Sequence, residues 1–510
     1  MTTDRKSRRE FLRQMACLAA SGGAAALIPQ LRMMGTALAQ TTPSSLSGYR
    51  ALVCIYLSGG NDAWNLLVPK DSTNAGSLWD IYRTSRSGVY NATSNPGGLA
   101  IDFPQLLGLT GATGSGSNMY GLHPSCPELR TLYDAQKLGL VVNVGPLVKP
   151  ITKAEYASSL ANRPPQLFSH SDQENLWHVG TAKDSRYGWA GSAINTLKSQ
   201  FPPGGNAVLS PCISVAGSNK LEVGSSVFPY FMSSSSSNTT PPLSGVSGVC
   251  NGGTCSGTFG AQRDGAVTQL LAATYQGGFA NEYAQTFQRG RDLYQTLFDG
   301  LNSAPGQLTT TTFPANNSLG DQLRSVARMI KLSRANNYAA RQIYYVRTGG
   351  FDLHSGLMAT GTNGHAGLLS RLSQALNAFN AALGEIGAQN DVTAFTMSEF
   401  ARTLTSNGNG SDHAWGSVQL VMGGGVQGGK LYSSGGGPIS GFPDQSITLD
   451  SHGNNTNPVA FSRGQFIPGI GVDQYAATLA KWLGVTATTD QDAIFPNLAN
   501  FATRDLGFMG

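Results

Sequence analysis

The sequence predicts an α/β fold: a largely parallel central sheet covered by helices on both faces. Three observations carry that prediction. Short apolar runs alternate along the chain with segments of helical period, and such alternation builds strands that are buried on both faces. Several of the runs end in glycines followed by Asp, Glu or His, the arrangement expected where parallel strand ends gather ligands on one sheet edge. A chain of 510 residues can also bury a large core within one domain that carries insertions.

In chain order, Leu52 to Leu57 form the first apolar strand, and Gly59 and Gly60 then let the backbone turn sharply before Asn61 and Asp62. Pro127 to Lys137 predicts a helix with Pro127 in its first turn and Leu129, Leu132 and Tyr133 on one face; it leads into a strand from Leu138 to Val144. Gln322 to Ser333 is helical through Leu323, Val326 and Ile330. Ile343 to Val346 makes a β-branched and aromatic strand, broken by Gly349 and Gly350 just before Asp352 and His354. From Ala366 to Ile386 the apolar residues Leu368, Leu372, Leu376, Phe379, Leu383 and Ile386 keep the helical period. Val392 to Met397 is a buried strand that ends at Ser398 and Glu399. Asp473 is expected to cap a last helix, which Gly484 ends after Leu483.

Two stretches depart from the alternation. Ser233 to Ser256, with its serine run, paired prolines and glycines, predicts an exposed insertion loop or small flap. Asn407 to Gly441 alternates glycine-rich turns with a strand from Val418 to Met422. Its glycines serve either tight turns or close approach to a ligand. The domain reading is therefore a signal over residues 1–39 and one α/β domain over residues 40–510, with a Ser/Gly-rich insertion at about 230–260.

The N-terminus predicts the compartment. Ser7 to Leu12 form a twin-arginine pattern, followed by an Ala/Gly-rich stretch from Ala16 to Ile28 and a small-residue cleavage site at Ala37, Leu38 and Ala39. The expected mature protein starts at Gln40 and is periplasmic or secreted, with no membrane span. Residues 1–39 hold six Lys/Arg and two Asp/Glu, which accounts for +4 of the net charge of +5. The remainder is nearly neutral and gives no footprint for nucleic acid. After removal of Cys17 five cysteines remain, so at least one is unpaired. Cys250 and Cys255 are the expected disulfide in an oxidising compartment, and Cys54, inside an apolar strand, is expected to be a buried thiol.

The chemistry concentrates in SEFARTLTSNGNGSDHAW, where Glu399 at a strand end is followed by a Gly/Asn loop that delivers Asp412 and His413. Two carboxylates and an imidazole are hard to bury together unless they share a cation or a proton. A metal is the simplest partner. Asp62 in SGGNDAWN and the Asp352–His354 pair in FDLHSG repeat the pattern elsewhere in the chain. The same edge is therefore expected to collect Asp62, Asp352, His354, Glu399, Asp412 and His413.

The strings SGGNDAWN, His123-Pro124, SHSDQENLWHVG, FDLHSG, HAGLLSRL and SEFARTLTSNGNGSDHAWGSVQLVMGGGVQGGKLY resemble, in the same order, domain-of-unknown-function family 1501. That family consists of exported proteins placed in the alkaline phosphatase and sulfatase superfamily. The resemblance implies an alkaline-phosphatase-like three-layer sandwich and a sheet-end site with one or two divalent metals. It also implies a Ser or Thr nucleophile that is transiently phosphorylated or sulfated. Asp62, Asp352, His354, Asp412 and His413 would be ligands, and Glu399, standing where the superfamily usually shows an Asp-His couple, either a ligand or a base. SHSDQENLWHVG has the position of the nucleophile segment, offering Ser169 and Ser171 with His170 between them; for each of the three the alternative is a helix cap or an ordinary core or surface side chain. Zinc or manganese is favoured over calcium or magnesium by the mixture of His and carboxylate.

The expected activity is thus hydrolysis or transfer of small-molecule or polymer-borne phosphate or sulfate esters. The competing expectation is a degenerate secreted scaffold that keeps the fold, with at most one structural cation, and serves an unknown protein partner.

Overall fold

The computed structural model describes residues 46, 48–110, 119–159, 163–181, 185–201, 209–243, 250–251, 254–255, 260–273, 278–434 and 442–510; the expected signal over residues 1–39 lies outside the described residues. The central sheet has nine strands among those residues. In chain order they are β1 (Arg50–Leu57), β2 (Leu138–Gly145), β3 (Cys212–Ser214), β4 (Tyr230–Phe231), β5 (Arg341–Thr348), β6 (Val392–Met397), β7 (Ser417–Gly423), β8 (Leu431–Tyr432) and β9 (Ile470–Gly471). Across the sheet the order is β8-β2-β7-β6-β1-β5-β3-β4, with β9 also paired to β2. β7 runs antiparallel to both of its neighbours, and the other pairs are parallel. The predicted largely parallel α/β sheet is the one observed.

The helices that matter for the site are α1 (Ala63–Leu66), α2 (Leu78–Ser85), α3 (Pro127–Asp134), α4 (His170–Val179), α5 (Trp189–Leu197), α6 (Ser318–Asn336), α7 (His365–Glu385) and α8 (Val472–Leu483). Side chains alternate across a strand, and β1 shows what that does. Ala51, Val53, Ile55 and Leu57 enter one core with α3, α6 and α7, while Leu52, Cys54 and Tyr56 enter another with α5 and α8. The sheet is therefore the middle of three layers. Strands buried on both faces are accordingly mostly apolar in β1, β2, β6 and β7, and buried polar side chains among them can pair within the sheet: Thr396 Oγ1 of β6 donates to Gln419 Oε1 of β7 at 2.8 Å.

Two local expectations are corrected or refined. Asp473 does not cap α8. Gly471 takes that position, and Asp473, fully buried in the first turn, accepts the Thr181 N–H at 2.6 Å. In the described part of the serine-rich stretch, the buried Arg328 of α6 donates to the carbonyls of Ser237, Thr239 and Thr240. The guanidinium ties residues 237–240 down onto the helix.

Burial pushes the Asp473 carboxyl up to about 6, against the opposing pull of the Thr181 N–H. A folded-state pKa above the unfolded one means the folded state prefers the protonated acid. Its stabilising contribution is complete below about pH 3.9 and is lost as pH rises through 6, on the order of 3 kcal/mol in all. Asn at this position keeps the acceptor and does not titrate. Urea unfolding at pH 4 and pH 7 should show Asp473→Asn gaining about that much relative to the wild type at the higher pH; a difference independent of pH would refute the assignment.

Backbone pairing sets Cys250 opposite Cys255 in an antiparallel ladder, a spacing that a disulfide can span. Cys54, Cys126 and Cys212 are buried free thiols. Non-reducing peptide mapping of oxidised protein should therefore return one linked pair, Cys250 with Cys255.

Candidate metal centre

β1, β5 and β6 are parallel and end in register, with Leu57 beside Thr348 and Tyr56 beside Met397. The residues that follow each strand emerge along one edge. β7 begins at that edge because it runs against β6, so the loop before it returns Asp412 and His413 to the same place. The turn after β1 needs glycine. Gly59 has φ +116°, and a Cβ there would lie 2.4 Å from the Asp352 backbone nitrogen.

Asp352 is the centre of the cluster. His354 Nε2 lies 3.2 Å and His413 Nε2 3.3 Å from its Oδ1, and His170 Nε2 lies 3.5 Å from its Oδ2. Each imidazole turns Nε2 inward because its Nδ1 is held elsewhere. His170 Nδ1 meets Glu399 Oε1 at 2.9 Å, His354 Nδ1 meets Asp412 Oδ1 at 3.0 Å, and His413 Nδ1 meets the Phe168 carbonyl at 2.7 Å. An Nδ1–H given to a carboxylate or carbonyl leaves Nε2 as a lone-pair nitrogen, the tautomer that binds metals.

The partners are themselves fixed. Glu399 is buried, and its Oε1 also accepts the Gly59 N–H at 2.7 Å. Asp412 is paired with Arg463 and accepts from Asn407 at 3.1 Å. Phe168 sits at φ +74°, a conformation that costs a non-glycine residue about 1–3 kcal/mol and that aims its carbonyl at His413.

These donors fit a divalent cation. The ligand atoms of His170, Asp352 and His413 lie within 4.8 Å of one another, and His354 Nε2 is 2.9 Å from His413 Nε2. Two imidazole lone pairs that close repel unless a proton or cation lies between them. Glu399 Oε2, on the carboxylate that holds His170 Nδ1, is buried and has no hydrogen-bond partner among the described residues.

The electrostatics follow the contacts. The Glu399 hydrogen bond raises the His170 imidazole above its ordinary range, while burial lowers that of His413. Burial works to raise the Asp352 carboxyl, but the hydrogen bond and charge of Arg402 outweigh it and hold the group low. Burial of Asp412 is likewise outweighed, by Asn407, His354 and Arg463.

Not every expected ligand faces the cluster. Asp62 is at the edge, but both of its carboxylate oxygens face the fully buried Arg86, which follows α2. Glu399 and Asp412 reach the cluster through histidine Nδ1 atoms. Ser169 precedes α4 and donates its hydroxyl to Asp172 at 2.6 Å, and Ser171 is exposed, 3.5 Å from it. His170, expected as a catalytic side chain, lies in the cluster with Asp352 and His413. Sequence reasoning missed the buried Arg402, which pairs with Asp352 and donates to the carbonyls of Gly60 and Ser411. Nothing in the string SEFART marks that arginine as buried. His365 and His123 lie behind the site; burial pushes both down to about 3, and His365 Nε2 bonds Asn61 Oδ1 at 2.9 Å.

Fold and site together define an α/β protein with a histidine–carboxylate cluster at the ends of its parallel strands. Residues 269–436, which carry α6, β5, α7, β6 and β7, match the family described as Protein of unknown function (DUF1501), and the resemblance read from the motifs is borne out there. No curated protein matches the chain. Among solved structures it is similar to Ps i-CgsB in complex with k-i-k-neocarrahexaose, at 9% identity and TM-score 0.33, covering 90% of this chain and 78% of that one. The lipoteichoic acid synthase LtaP from Listeria monocytogenes is similar at 8% identity and TM-score 0.33, over 88% and 76% of the two chains. Alkaline phosphatase from the Antarctic bacterium TAB5 is similar at 9% identity and TM-score 0.25, over 76% and 95%. Likenesses at this level fix neither activity nor substrate. No helix of the described residues is long and apolar enough to cross a membrane.

Proposed function

We propose that the cluster is the divalent-metal centre of an exported hydrolase or transferase acting on phosphate or sulfate esters. The observation that carries the metal reading is the convergence of three Nδ1-anchored imidazoles, His170, His354 and His413, on the Asp352 carboxylate. The ester class rests on the motif resemblance.

His170, Asp352 and His413, with His354 beside them, would hold the ion, and a set of nitrogen donors with one carboxylate favours zinc or manganese. When bound, such an ion supplies Lewis acidity towards ester oxygens and eases ionisation of a hydroxyl or water. The surrounding residues do the positioning. Glu399, Asp412 and the Phe168 carbonyl fix the ring tautomers, and Arg402 holds Asp352 in place. Ser169 is the better nucleophile of the two serines, because its hydroxyl proton already lies against the Asp172 carboxylate.

The scaffold reading draws on a different observation. Asp62, Asp352 and Asp412 each have an arginine partner, so much of the edge is neutralised by protein charges alone. Elemental analysis of the purified mature protein, together with turnover of an aryl phosphate and an aryl sulfate, separates the two. The enzyme reading expects at least one zinc or manganese per chain and turnover that Ser169→Ala removes while the metal stays. Bound metal with no turnover of either ester would leave the scaffold.

A further inference from the structure

Resting on that reading, we infer that the centre holds one divalent ion and that guanidiniums, rather than a second metal, neutralise the other acids of the edge. The motif resemblance implies one or two ions and counts Asp62 and Asp412 among their ligands. The donors present are enough for one.

The inward nitrogens share a single acid. His354 and His413 Nε2 approach Asp352 Oδ1 at 3.2 and 3.3 Å, and His170 Nε2 approaches Oδ2 of the same carboxylate at 3.5 Å. His354 and His413 Nε2 are 2.9 Å apart, so one cation between them serves both lone pairs. A catalytic zinc takes three protein ligands and keeps a position open, and these side chains supply such a set once.

A second ion, even one sharing Asp352, would need at least two further ligands, and the other acids of the edge are already engaged. Asp62 turns both oxygens to Arg86, which is fully buried and fixed by the carbonyls of Thr403 and Leu404 at 3.2 and 3.3 Å. Asp412 gives Oδ1 to His354 Nδ1 and Asn407, and Oδ2 to Arg463. Glu399 Oε1 lies against His170 Nδ1 and accepts the Gly59 N–H, which leaves Oε2 as the one oxygen of these three acids without a partner among the described residues. Charge gives the same count. Four carboxylates, Asp62, Asp352, Glu399 and Asp412, stand with three guanidiniums, Arg86, Arg402 and Arg463, so with the imidazoles neutral, as metal ligands are, the side chains carry one net negative charge. One divalent ion turns this into one positive charge. Two would leave three at an edge where Asp62, Glu399, Arg86 and Arg402 are buried, and uncompensated charge there is costly. Clamping of attacking and leaving oxygens between two ions about 3.5–4 Å apart is therefore not the chemistry these residues provide.

The test counts ions and does not depend on turnover. Mature protein is treated with a chelator, dialysed against rising manganese or zinc, and assayed by elemental analysis, with electron paramagnetic resonance for the manganese series. The expected plateau is one ion per chain, and the manganese spectrum is that of an isolated ion. A plateau of two, or an exchange-coupled manganese spectrum, would overturn the inference while leaving the metal centre intact. Failure to bind either metal would overturn the metal reading and this inference with it. Asp62→Asn should keep the plateau at one. So should the double variant Asp62→Asn with Arg86→Met, which leaves no unpaired charge buried and so covers the case in which the single variant unfolds. Loss of the ion from the folded double variant would make Asp62 a ligand and overturn the role given to Arg86.

Discussion

His413→Ala is expected to cost the protein its metal and its activity while leaving the fold in place. The ring supplies an Nε2 of the cluster, 3.3 Å from Asp352 and 2.9 Å from His354, and alanine removes that nitrogen without burying any charge. Outer partners of a metal site are worth about 10- to 100-fold in affinity, and loss of a direct ligand should exceed that, so metal affinity should fall by more than about 100-fold. Turnover of an aryl ester should fall with it. Glu399→Gln provides the graded control. It weakens the acceptor that orients His170 Nδ1 without removing a donor nitrogen, so a loss within that 10- to 100-fold range is expected. Metal content by elemental analysis and unfolding by circular dichroism check both variants. Full metal occupancy in His413→Ala would exclude this histidine from the site.

Arg86→Met should produce the largest loss of stability at this sheet edge and should spare the metal. Arg86 and Asp62 are both fully buried, and the guanidinium also donates to the carbonyls of Thr403 and Leu404 at 3.2 and 3.3 Å. Removing one member of a buried pair leaves an uncompensated charge, at about 3–5 kcal/mol. Asp62→Asn should be milder, because the amide oxygen still accepts a hydrogen bond from Arg86, and the metal content of both variants should equal that of the wild type. The measurement is denaturant unfolding run beside metal analysis. If Asp62→Asn emptied the site at unchanged stability, Asp62 would be a ligand after all, as the motif resemblance implies.

Much of the fold is legible in the residue pattern, and particular elements show why. The apolar run Val392 to Met397 is β6 with the same bounds, and the helical period from Ala366 to Ile386 is α7, which runs His365–Glu385. Apolar period is a local property, and burial against a neighbouring layer follows from it. The convergence of acids and histidines is legible for a related reason: parallel strands share an edge, and the glycines after β1 and β5 announce where the chain leaves it. The cap of α8 is misplaced by sequence because Asp473 is a good capping residue by type, whereas the tertiary fold buries it against Thr181.

Residue types within a few positions of one another are enough to set the elements and the edge where Asp352, His354, Glu399, Asp412 and His413 emerge. What each of those groups faces was settled only when the chain folded. Asp62 turns to Arg86, Asp352 to Arg402 and Asp412 to Arg463, partners 24, 50 and 51 residues away. His170, from a separate helix, enters beside Glu399, 229 residues distant. A carboxylate is a ligand, a ring-orienting acceptor or half of an ion pair according to the charge nearest to it in space, and Coulomb interaction at a few ångströms depends on separation through space, which no local periodicity records.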